Sequence, residues 1–295
     1  MSLDELHIIG FNLGAHVAGF AGKKVNGQPV VKYYLYTKRN PKRGQQFSAS
    51  TTNIKSTNFN VNNPTRFVIH GWNQRYTDRV IVDICKAWLS RGDHNVIIVD
   101  WAHARTINYR KATRAVPKVG KAVASLINFL KVELKMSLEQ VHIIGFSLGA
   151  HVAGFAGKNN DDKVQVIMGL DPALPFFSWD TPSERLCQND AFYVESIHTS
   201  GGKLSFLKPI GDAAFYPNGG KKQPNCDFDL TGSCSHSRAA KYYAEAVEDG
   251  AFPAMKCDDY ESAVNNDCGA AYGDISMGAD DNDKKAEGQF YVPIV

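Results

Sequence analysis

A G-x-S-x-G motif centred on Ser147 constrains the fold of this chain more than any other segment. The apolar run 141–144 before it is typical of a short buried strand, and the small residues of segment 148–156 after it are typical of a helix packed closely on a sheet. A sharp strand-to-helix turn leaves no room for a β-carbon at Gly145 or Gly149, and it exposes the serine hydroxyl at its tip. The motif therefore predicts a nucleophile elbow with Ser147 as the candidate nucleophile.

An activated serine needs a general base and a carboxylate that orients that base. Asp171 stands at the C-terminal end of a second buried run, Val164–Leu170, and His236 comes directly before an amphipathic segment, Ser237–Asp249, that predicts a helix. Each residue alone has an ordinary explanation, Asp171 as a turn or capping residue and His236 as a neighbour of a helix N-cap. The order Ser, Asp, His, with both residues in loops at the catalytic edge of an open sheet, favours a catalytic triad.

The negative charge that develops during acyl transfer needs two backbone N–H donors. Leu148, which follows the candidate nucleophile, is expected to supply one. The second is expected from the loop after an early strand, and segment 66–72 offers a strand followed by a turn, so Trp72 is the candidate. His70, in the same segment, is expected to order this loop by hydrogen bonding and not to take part in catalysis.

Strand-like runs alternate with helical patterns along the chain. The strands are predicted at Arg66–Ile69 and Val96–Val99, and the helices at Asp78–Arg91 and Lys118–Leu134. Such alternation predicts an α/β fold with a mostly parallel central sheet and helices on both faces. The 295 residues could form two domains, but α/β enzymes of this length are often a single domain. The net charge of +3 is mild, so we expect no nucleic-acid partner, and contact with an anionic membrane surface stays open.

Five motifs, in this order along the chain, resemble those of the pancreatic lipase family. The match runs from about Lys32 to the C-terminus. Within the family, the motifs resemble those of the insect secreted lipases and phospholipases A1. The motifs are Val68-Ile69-His70-Gly71-Trp72, Gly145-Phe146-Ser147-Leu148-Gly149-Ala150-His151, Gly169-Leu170-Asp171-Pro172-Ala173, Phe215-Tyr216-Pro217-Asn218-Gly219-Gly220 and Cys234-Ser235-His236-Ser237-Arg238. The resemblance implies an α/β-hydrolase fold and cleavage of acyl esters of lipids at a membrane or micelle surface, with no cofactor. It also implies Ser147, Asp171 and His236 as the triad, and Trp72 and Leu148 as oxyanion donors.

Short loops around the predicted site distinguish this chain from the larger members of the family. Only Asp227–Ser233 separates Cys226 from Cys234, where the family has its lid, and the loop Thr199–Phe215 is also short. Such loops resemble those of phospholipases A1, and a neutral triacylglycerol lipase is the alternative. A non-catalytic lipid-binding or storage protein, like the yolk proteins of the family, is a further alternative against which the intact triad argues. Five apolar residues of the two loops are candidate lipid contacts: Leu204, Phe206, Leu207, Phe228 and Leu230.

Two further departures concern partners and metals. The chain ends soon after segment 288–293, so the resemblance gives no expectation of a second domain or of a colipase partner, and the oligomeric state stays open. A calcium site described in some relatives would need a carboxylate at the position of Cys187, and only Arg185 and Asp190 match it. We therefore predict no structural calcium.

The N-terminal segment duplicates the elbow. Residues 1–23 are identical to residues 136–158 at 19 of 23 positions, and Asn12 stands in the first copy where Ser147 stands in the second. An amide cannot act as the nucleophile, so we interpret residues 1–30 as a non-functional partial duplicate and residues 31–295 as the lipase-type domain. The first copy is either a degenerate extension or, as we favour, a fused fragment of a neighbouring paralogue.

The cysteines indicate an oxidising compartment. Cys226 and Cys234, and likewise Cys257 and Cys268, are close pairs in loop-rich sequence and are expected to form disulfides. Metal binding is the alternative for such pairs, but no C-x-x-C occurs and no histidine lies at ligand spacing. Cys85 is expected in the core, and the state of Cys187 stays open. We therefore expect an extracellular protein, although the chain as written begins without a signal peptide and holds no apolar run of the about 20 residues that span a bilayer.

Overall fold

A sheet of ten strands runs through the centre of the computed structural model, which describes residues 30–250, 252–269 and 272–294. A separate two-stranded sheet is formed by β9 and β11. The strands in chain order are β1 (Val31–Tyr36), β2 (Gln45–Phe47), β3 (Thr65–Ile69), β4 (Asn95–Trp101), β5 (Val141–Phe146), β6 (Val166–Leu170), β7 (Tyr193–Ile197), β8 (Ala213–Pro217), β9 (Phe252–Pro253), β10 (Met255–Cys257), β11 (Ser276–Met277) and β12 (Gly288–Val292).

The large sheet has the strand order β10-β12-β8-β7-β6-β5-β3-β4-β1-β2. Every pairing from β12 to β4 is parallel, whereas β1, β2 and β10 join antiparallel at the two sides. The central strands β3, β4 and β6 are buried along their whole length, as parallel strands covered on both faces are. The predicted mostly parallel sheet is confirmed.

Helices cover both faces of the sheet, as predicted. The helices are α1 (Thr51–Lys55), α2 (Arg79–Arg91), α3 (Tyr109–Leu134), α4 (Leu148–Lys158), α5 (Ser233–Asp249) and α6 (Tyr260–Asn265). Strand β4 shows the division, because Ile97 and Val99 pack with α3 and α4 on one face, while Val96 and Ile98 pack with α2 and α5 on the other. The sheet and its two helical layers form a single α/β domain.

Helix α3 begins nine residues before its predicted start at Lys118. Pro117 lies inside the helix, where a proline removes one backbone donor and disfavours helix continuation. The first turn is stabilised instead by the side chain of Asn108, which accepts a hydrogen bond from the Lys111 N–H at 3.1 Å. The predicted start at Lys118 is therefore wrong, because the helix continues through Pro117 to Tyr109.

Both predicted disulfides are present. Cys226 is bonded to Cys234 and Cys257 to Cys268, with Cα atoms 5.7 Å and 4.5 Å apart. Cys85 is buried in the core as expected, and burial raises its pKa to about 12. Cys187 is a half-buried free thiol.

The predicted duplicate segment falls almost wholly on residues 1–29, which lie outside the described residues, so its interpretation stays a prediction. Among the described helices, none combines the length and the apolar character that a bilayer crossing requires.

Candidate active site

Ser147 occupies a strained turn between β5 and α4. Its backbone angles, φ 58° and ψ −121°, are uncommon for a residue with a side chain. A β-carbon at Gly145 would lie 2.2 Å from the carbonyl oxygen of Gly149, and one at Gly149 would lie 2.2 Å from that of Ile69. Both glycines are therefore required by space. The predicted strand-to-helix geometry of the elbow is confirmed, and it places Ser147 at the carboxyl end of β5. The expected exposure of Ser147 is wrong, because the residue is only 8% exposed.

Asp171 follows β6 and accepts hydrogen bonds on both carboxylate oxygens. Its Oδ1 accepts from the backbone N–H of Thr199 at 2.6 Å, the N–H of Ser200 at 3.1 Å and the hydroxyl of Ser205 at 2.6 Å. Its Oδ2 accepts from Nδ1 of His236 at 2.6 Å. The carboxylate is fully buried, so these four donors take the place of solvent and fix its orientation.

His236 lies beside the elbow. Its ring centre is 4.7 Å from that of Phe146, the residue directly before Ser147. Because Nδ1 is bonded to Asp171, the other ring nitrogen, Nε2, is left for a partner on the serine side. The structure thus brings Ser147, Asp171 and His236, predicted from distant parts of the sequence, to one edge of the sheet.

The predicted position of His236 in a loop is wrong, because α5 begins at Ser233 and His236 lies in its first turn. Asp229 explains the earlier start. Its carboxylate accepts the N–H groups of Cys234 at 3.0 Å and Ser235 at 2.8 Å, which would otherwise be unpaired at the helix end. Slight burial pushes the pKa of Asp229 up, but these hydrogen bonds outweigh it and hold the pKa below its ordinary value.

The two predicted oxyanion donors, Trp72 and Leu148, lie close to Ser147. A β-carbon at Gly71 would lie 2.7 Å from the Cβ of Ser147, so the loop that carries Trp72 contacts the elbow directly. The N–H groups on either side of Trp72 are bonded, Gly71 to the Gln74 side chain and Asn73 to the carbonyl of Ala104. Within the described ranges, the N–H groups of Trp72 and Leu148 find no protein acceptor.

His70 orders the loop before Trp72, as the sequence predicted. Its ring is fully buried and hydrogen-bonds Asp100 Oδ1 at 3.1 Å, and its carbonyl accepts the indole N–H of Trp101 at 2.9 Å. Arg105 completes the cluster at 2.7 Å from the same Asp100 oxygen. Burial pushes the pKa of Asp100 up, but His70 and Arg105 hold it below its ordinary value. The cluster stabilises the loop and stands apart from the candidate triad.

The candidate lipid contacts separate into exposed and buried residues. Phe228 and Leu230 are 97% and 91% exposed on the disulfide-closed loop, and Leu204 and Leu207 are half-buried. The prediction for Phe206 is wrong, because its side chain is 2% exposed and packs in the core. The carbonyl of Phe206 is bonded to the buried His198 ring at 2.7 Å, which holds this residue inward.

Trp72, the half-buried Tyr109 and the exposed Phe176 form an aromatic rim on one side of the elbow. The ring centre of Tyr109 lies 5.2 Å from that of Trp72 and 5.9 Å from that of Phe176. Phe176 is 65% exposed, and the guanidinium of Arg110 lies 5.7 Å from its ring centre. This rim places a cationic group beside an apolar surface. The sequence analysis predicted neither this rim nor the three residues that donate hydrogen bonds to Asp171, namely Thr199, Ser200 and Ser205. The polar residues directly after β7 offered a signal for these donors.

Three side chains at the start of α5, Cys226, Asp229 and Cys234, lie close enough together for a metal. Both sulfurs are used in the disulfide, so these residues are not a metal site.

A family model described as Lipase matches residues 27–292. Pancreatic triacylglycerol lipase of Cavia porcellus is 35% identical over 261 residues, which cover 81% of this chain and 56% of that protein. Pancreatic lipase-related protein 2 of Rattus norvegicus is 36% identical over 262 residues, 80% of this chain and 56% of that protein. The chain therefore spans about half the length of the curated relatives it matches.

Among solved structures, an α/β hydrolase enzyme from a Medee basin deep-sea metagenome library is 15% identical, covers 61% of this chain and 72% of its own, and has a TM-score of 0.37. The assignment to the α/β-hydrolase fold rests on the strand order and on the family model.

Proposed function

Because the chain belongs to the Lipase family, we propose that it is a serine hydrolase that cleaves acyl esters of lipids. One observation carries the proposal: the strained elbow presents Ser147 beside an imidazole that is 2.6 Å from a fully buried carboxylate. A residue held in a sparsely populated φ/ψ region destabilises the folded state by about 1–3 kcal/mol. A storage or lipid-binding protein gains no function from this strain.

In the proposed reaction, Nε2 of His236 accepts the proton of the Ser147 hydroxyl as the oxygen attacks the ester carbonyl carbon. Asp171 holds the imidazole in the tautomer that has its proton on Nδ1. The N–H groups of Trp72 and Leu148 donate to the oxyanion. The imidazolium then protonates the leaving alcohol, and an acyl-enzyme remains. Water, deprotonated by the same His236, releases the fatty acid and restores the serine.

Within this class we propose the phospholipase A1 type, with a lipid substrate at a membrane or micelle surface. The loop between Cys226 and Cys234 supports it, because the disulfide and the Asp229 hydrogen bonds fix this loop to the start of α5. A loop so fixed, with Phe228 and Leu230 pointing to solvent, is not a broad apolar lid over Ser147. Interfacial activation by lid opening is therefore not expected.

A charged headgroup also fits the cationic side chains next to the site. Arg110 lies against the exposed ring of Phe176, and Lys203 donates to the carbonyl of Asp229 on the His236 side. Either cation can pair with the phosphate of a phospholipid. A triacylglycerol has no charged group for them. Triacylglycerol hydrolysis is the second candidate, favoured by the identity to a protein named pancreatic triacylglycerol lipase.

The two disulfides support an extracellular location, since such bonds form and persist in oxidising compartments.

Labelling with a fluorophosphonate tests the hydrolase proposal, because this probe reacts with activated serines. We expect labelling of the wild type and none of Ser147→Ala, which should unfold at an unchanged temperature. Ser125→Ala, a control on the surface of α3 whose hydroxyl bonds only the Lys121 carbonyl, should label normally. Near wild-type ester hydrolysis by Ser147→Ala would refute the triad assignment.

The substrate type is tested with phosphatidylcholine and trioleoylglycerol in matched mixed micelles, with Ser147→Ala as the blank. We expect fatty acid release from the sn-1 position of phosphatidylcholine to be the faster reaction. A strong preference for trioleoylglycerol would make the protein a neutral lipase while leaving the hydrolase proposal intact.

A further inference from the structure

An ion cluster joins the elbow helix α4 to the segment that follows Asp171. The ammonium of Lys158, the last residue of α4, donates to Oδ1 and Oδ2 of Asp190 at 2.5 Å and 2.6 Å, and to the carbonyl of Arg185 at 2.8 Å. The sulfur of Cys187 lies 3.5 Å from the same nitrogen. Asp190 is 2% exposed, so the pair is largely shielded from water. A lysine ammonium has three N–H donors, and three oxygens surround this one.

The face of α4 that contacts this segment is built for close approach. Gly154 and Gly157 lie on it, and a β-carbon at either would come within 2.7 Å and 2.0 Å of atoms of Asp190. His151, two turns before Lys158, donates from Nε2 to the carbonyl of Ala173 at 2.7 Å and accepts the N–H of Leu186 at 3.1 Å. Burial lowers the pKa of His151 to about 3, which keeps the ring neutral and able to do both.

The segment that the cluster holds also contacts the elbow. Ala173, which the His151 ring bonds, donates its own N–H to the carbonyl of Ser147 at 3.4 Å. The segment 172–190 is therefore bonded to the elbow at its beginning and to the end of α4 at its end. It carries Phe176, a member of the aromatic rim.

Of the two cationic side chains in this cluster, Lys158 bonds the Asp190 carboxylate, whereas the Arg185 guanidinium donates to the carbonyls of Ser178 and Leu186. The thiol of Cys187 donates a hydrogen bond to Asp190 Oδ1 at 3.2 Å. One carboxylate then faces one ammonium. A bound Ca²⁺ ion prefers several oxygen ligands and more than one negative charge.

These residues do not fit the calcium ion that occurs in some relatives. The oxygens that would bind it, those of Asp190 and the Arg185 carbonyl, are already bonded to Lys158, and a neutral thiol stands where a second carboxylate would be needed.

We propose that the Lys158 ammonium is a built-in cation that holds segment 172–190 against α4, so that this segment needs no divalent ion. The same oxygens become a Ca²⁺ site when the ammonium is removed and a carboxylate is restored, as in the double variant Lys158→Ala, Cys187→Asp.

Thermal unfolding of the full chain with CaCl₂ and with EDTA tests this proposal independently of activity. The melting temperature of the wild type should be the same in both. Lys158→Ala should melt about 10 °C lower, because it leaves Asp190 buried without its partner. Lys241→Ala, which removes an exposed pair 3.4 Å from Glu245, is the matched control and should melt within about 2 °C of the wild type.

CaCl₂ should raise the melting temperature of the double variant by several degrees, and isothermal titration with CaCl₂ should detect one site in it and none in the wild type. A wild type stabilised by CaCl₂ or destabilised by EDTA would overturn the proposal, and this measurement holds even if a variant fails to fold. A Lys158→Ala protein as stable as the wild type would overturn it as well.

Discussion

Two buried carboxylates on neighbouring strands, Asp171 and Glu195, have opposite surroundings. Both are at most 1% exposed. Asp171 at the end of β6 accepts four hydrogen bonds, which involve both of its oxygens. Glu195 on β7 accepts from the hydroxyl of Tyr193 at 3.0 Å and the amide of Asn282 at 2.9 Å, both on Oε2, and its Oε1 has no partner among the described residues.

The hydrogen-bond donors around each carboxylate determine its chemical role. Burial raises the pKa of Glu195 to about 7, and the hydrogen bonds from Asn282, Tyr193 and the Gly278 backbone do not offset it. The group therefore takes up a proton readily near neutral pH. The four donors around Asp171 fix the orientation of its carboxylate toward His236, where it can stabilise the imidazolium. Burial alone predicts neither role, and the arrangement of donors distinguishes them.

The largest effect is expected for Asp171→Asn. The amide oxygen can keep the three donors on one side, so its NH₂ group must face His236 and forces the tautomer in which Nε2 carries the proton. That nitrogen can no longer accept the serine proton, and kcat/KM should fall about 10⁴-fold. The measurement is hydrolysis of a soluble ester, with circular dichroism to check the fold. A loss of less than tenfold would show that Asp171 is no more critical than an ordinary buried carboxylate.

Glu195→Gln should change the pH dependence of stability. The pKa of Glu195 is higher in the folded state than in the unfolded state, so its stabilising contribution is full below about pH 4.5 and is lost as the pH rises through about 7. The loss amounts to roughly 3 kcal/mol. Urea unfolding at pH 5 and pH 8 should show a smaller difference between the two pH values for Glu195→Gln than for the wild type. Equal differences would assign the pH dependence to other groups.

The smallest effect is expected for Ser205→Ala, which removes one of the four donors around Asp171. The remaining donors keep the carboxylate in place, so stability should fall by about 1–2 kcal/mol and kcat by about tenfold. Urea unfolding and ester hydrolysis measure the two effects, with the surface variant Ser125→Ala as the control. An effect on kcat as large as that of Asp171→Asn would mean that the hydroxyl is indispensable and not one donor among several.

The parts of the site that local sequence controls were predictable. Glycine spacing places Ser147 at the elbow, and a residue that follows a buried strand, such as Asp171, must lie at the carboxyl edge of the sheet. The start of α5 was not predictable, because it involves hydrogen bonds from the helix to Asp229, a residue of the loop that the Cys226–Cys234 disulfide closes. The burial of Phe206 likewise depends on a contact with His198, which no local pattern reveals.

The outermost strands of the large sheet, β2 and β10, have three residues each. An edge strand offers unpaired backbone groups to other chains, and long flat edges promote aggregation. Here β10 has an exposed lysine, Lys256, at its centre and ends at Cys257, which is bonded to Cys268. A strand of another molecule could therefore pair with only three residues at either edge of the sheet. Within the described residues the sheet is open at both ends, and these short edges limit polymerisation, which suits a protein proposed to work at crowded lipid surfaces.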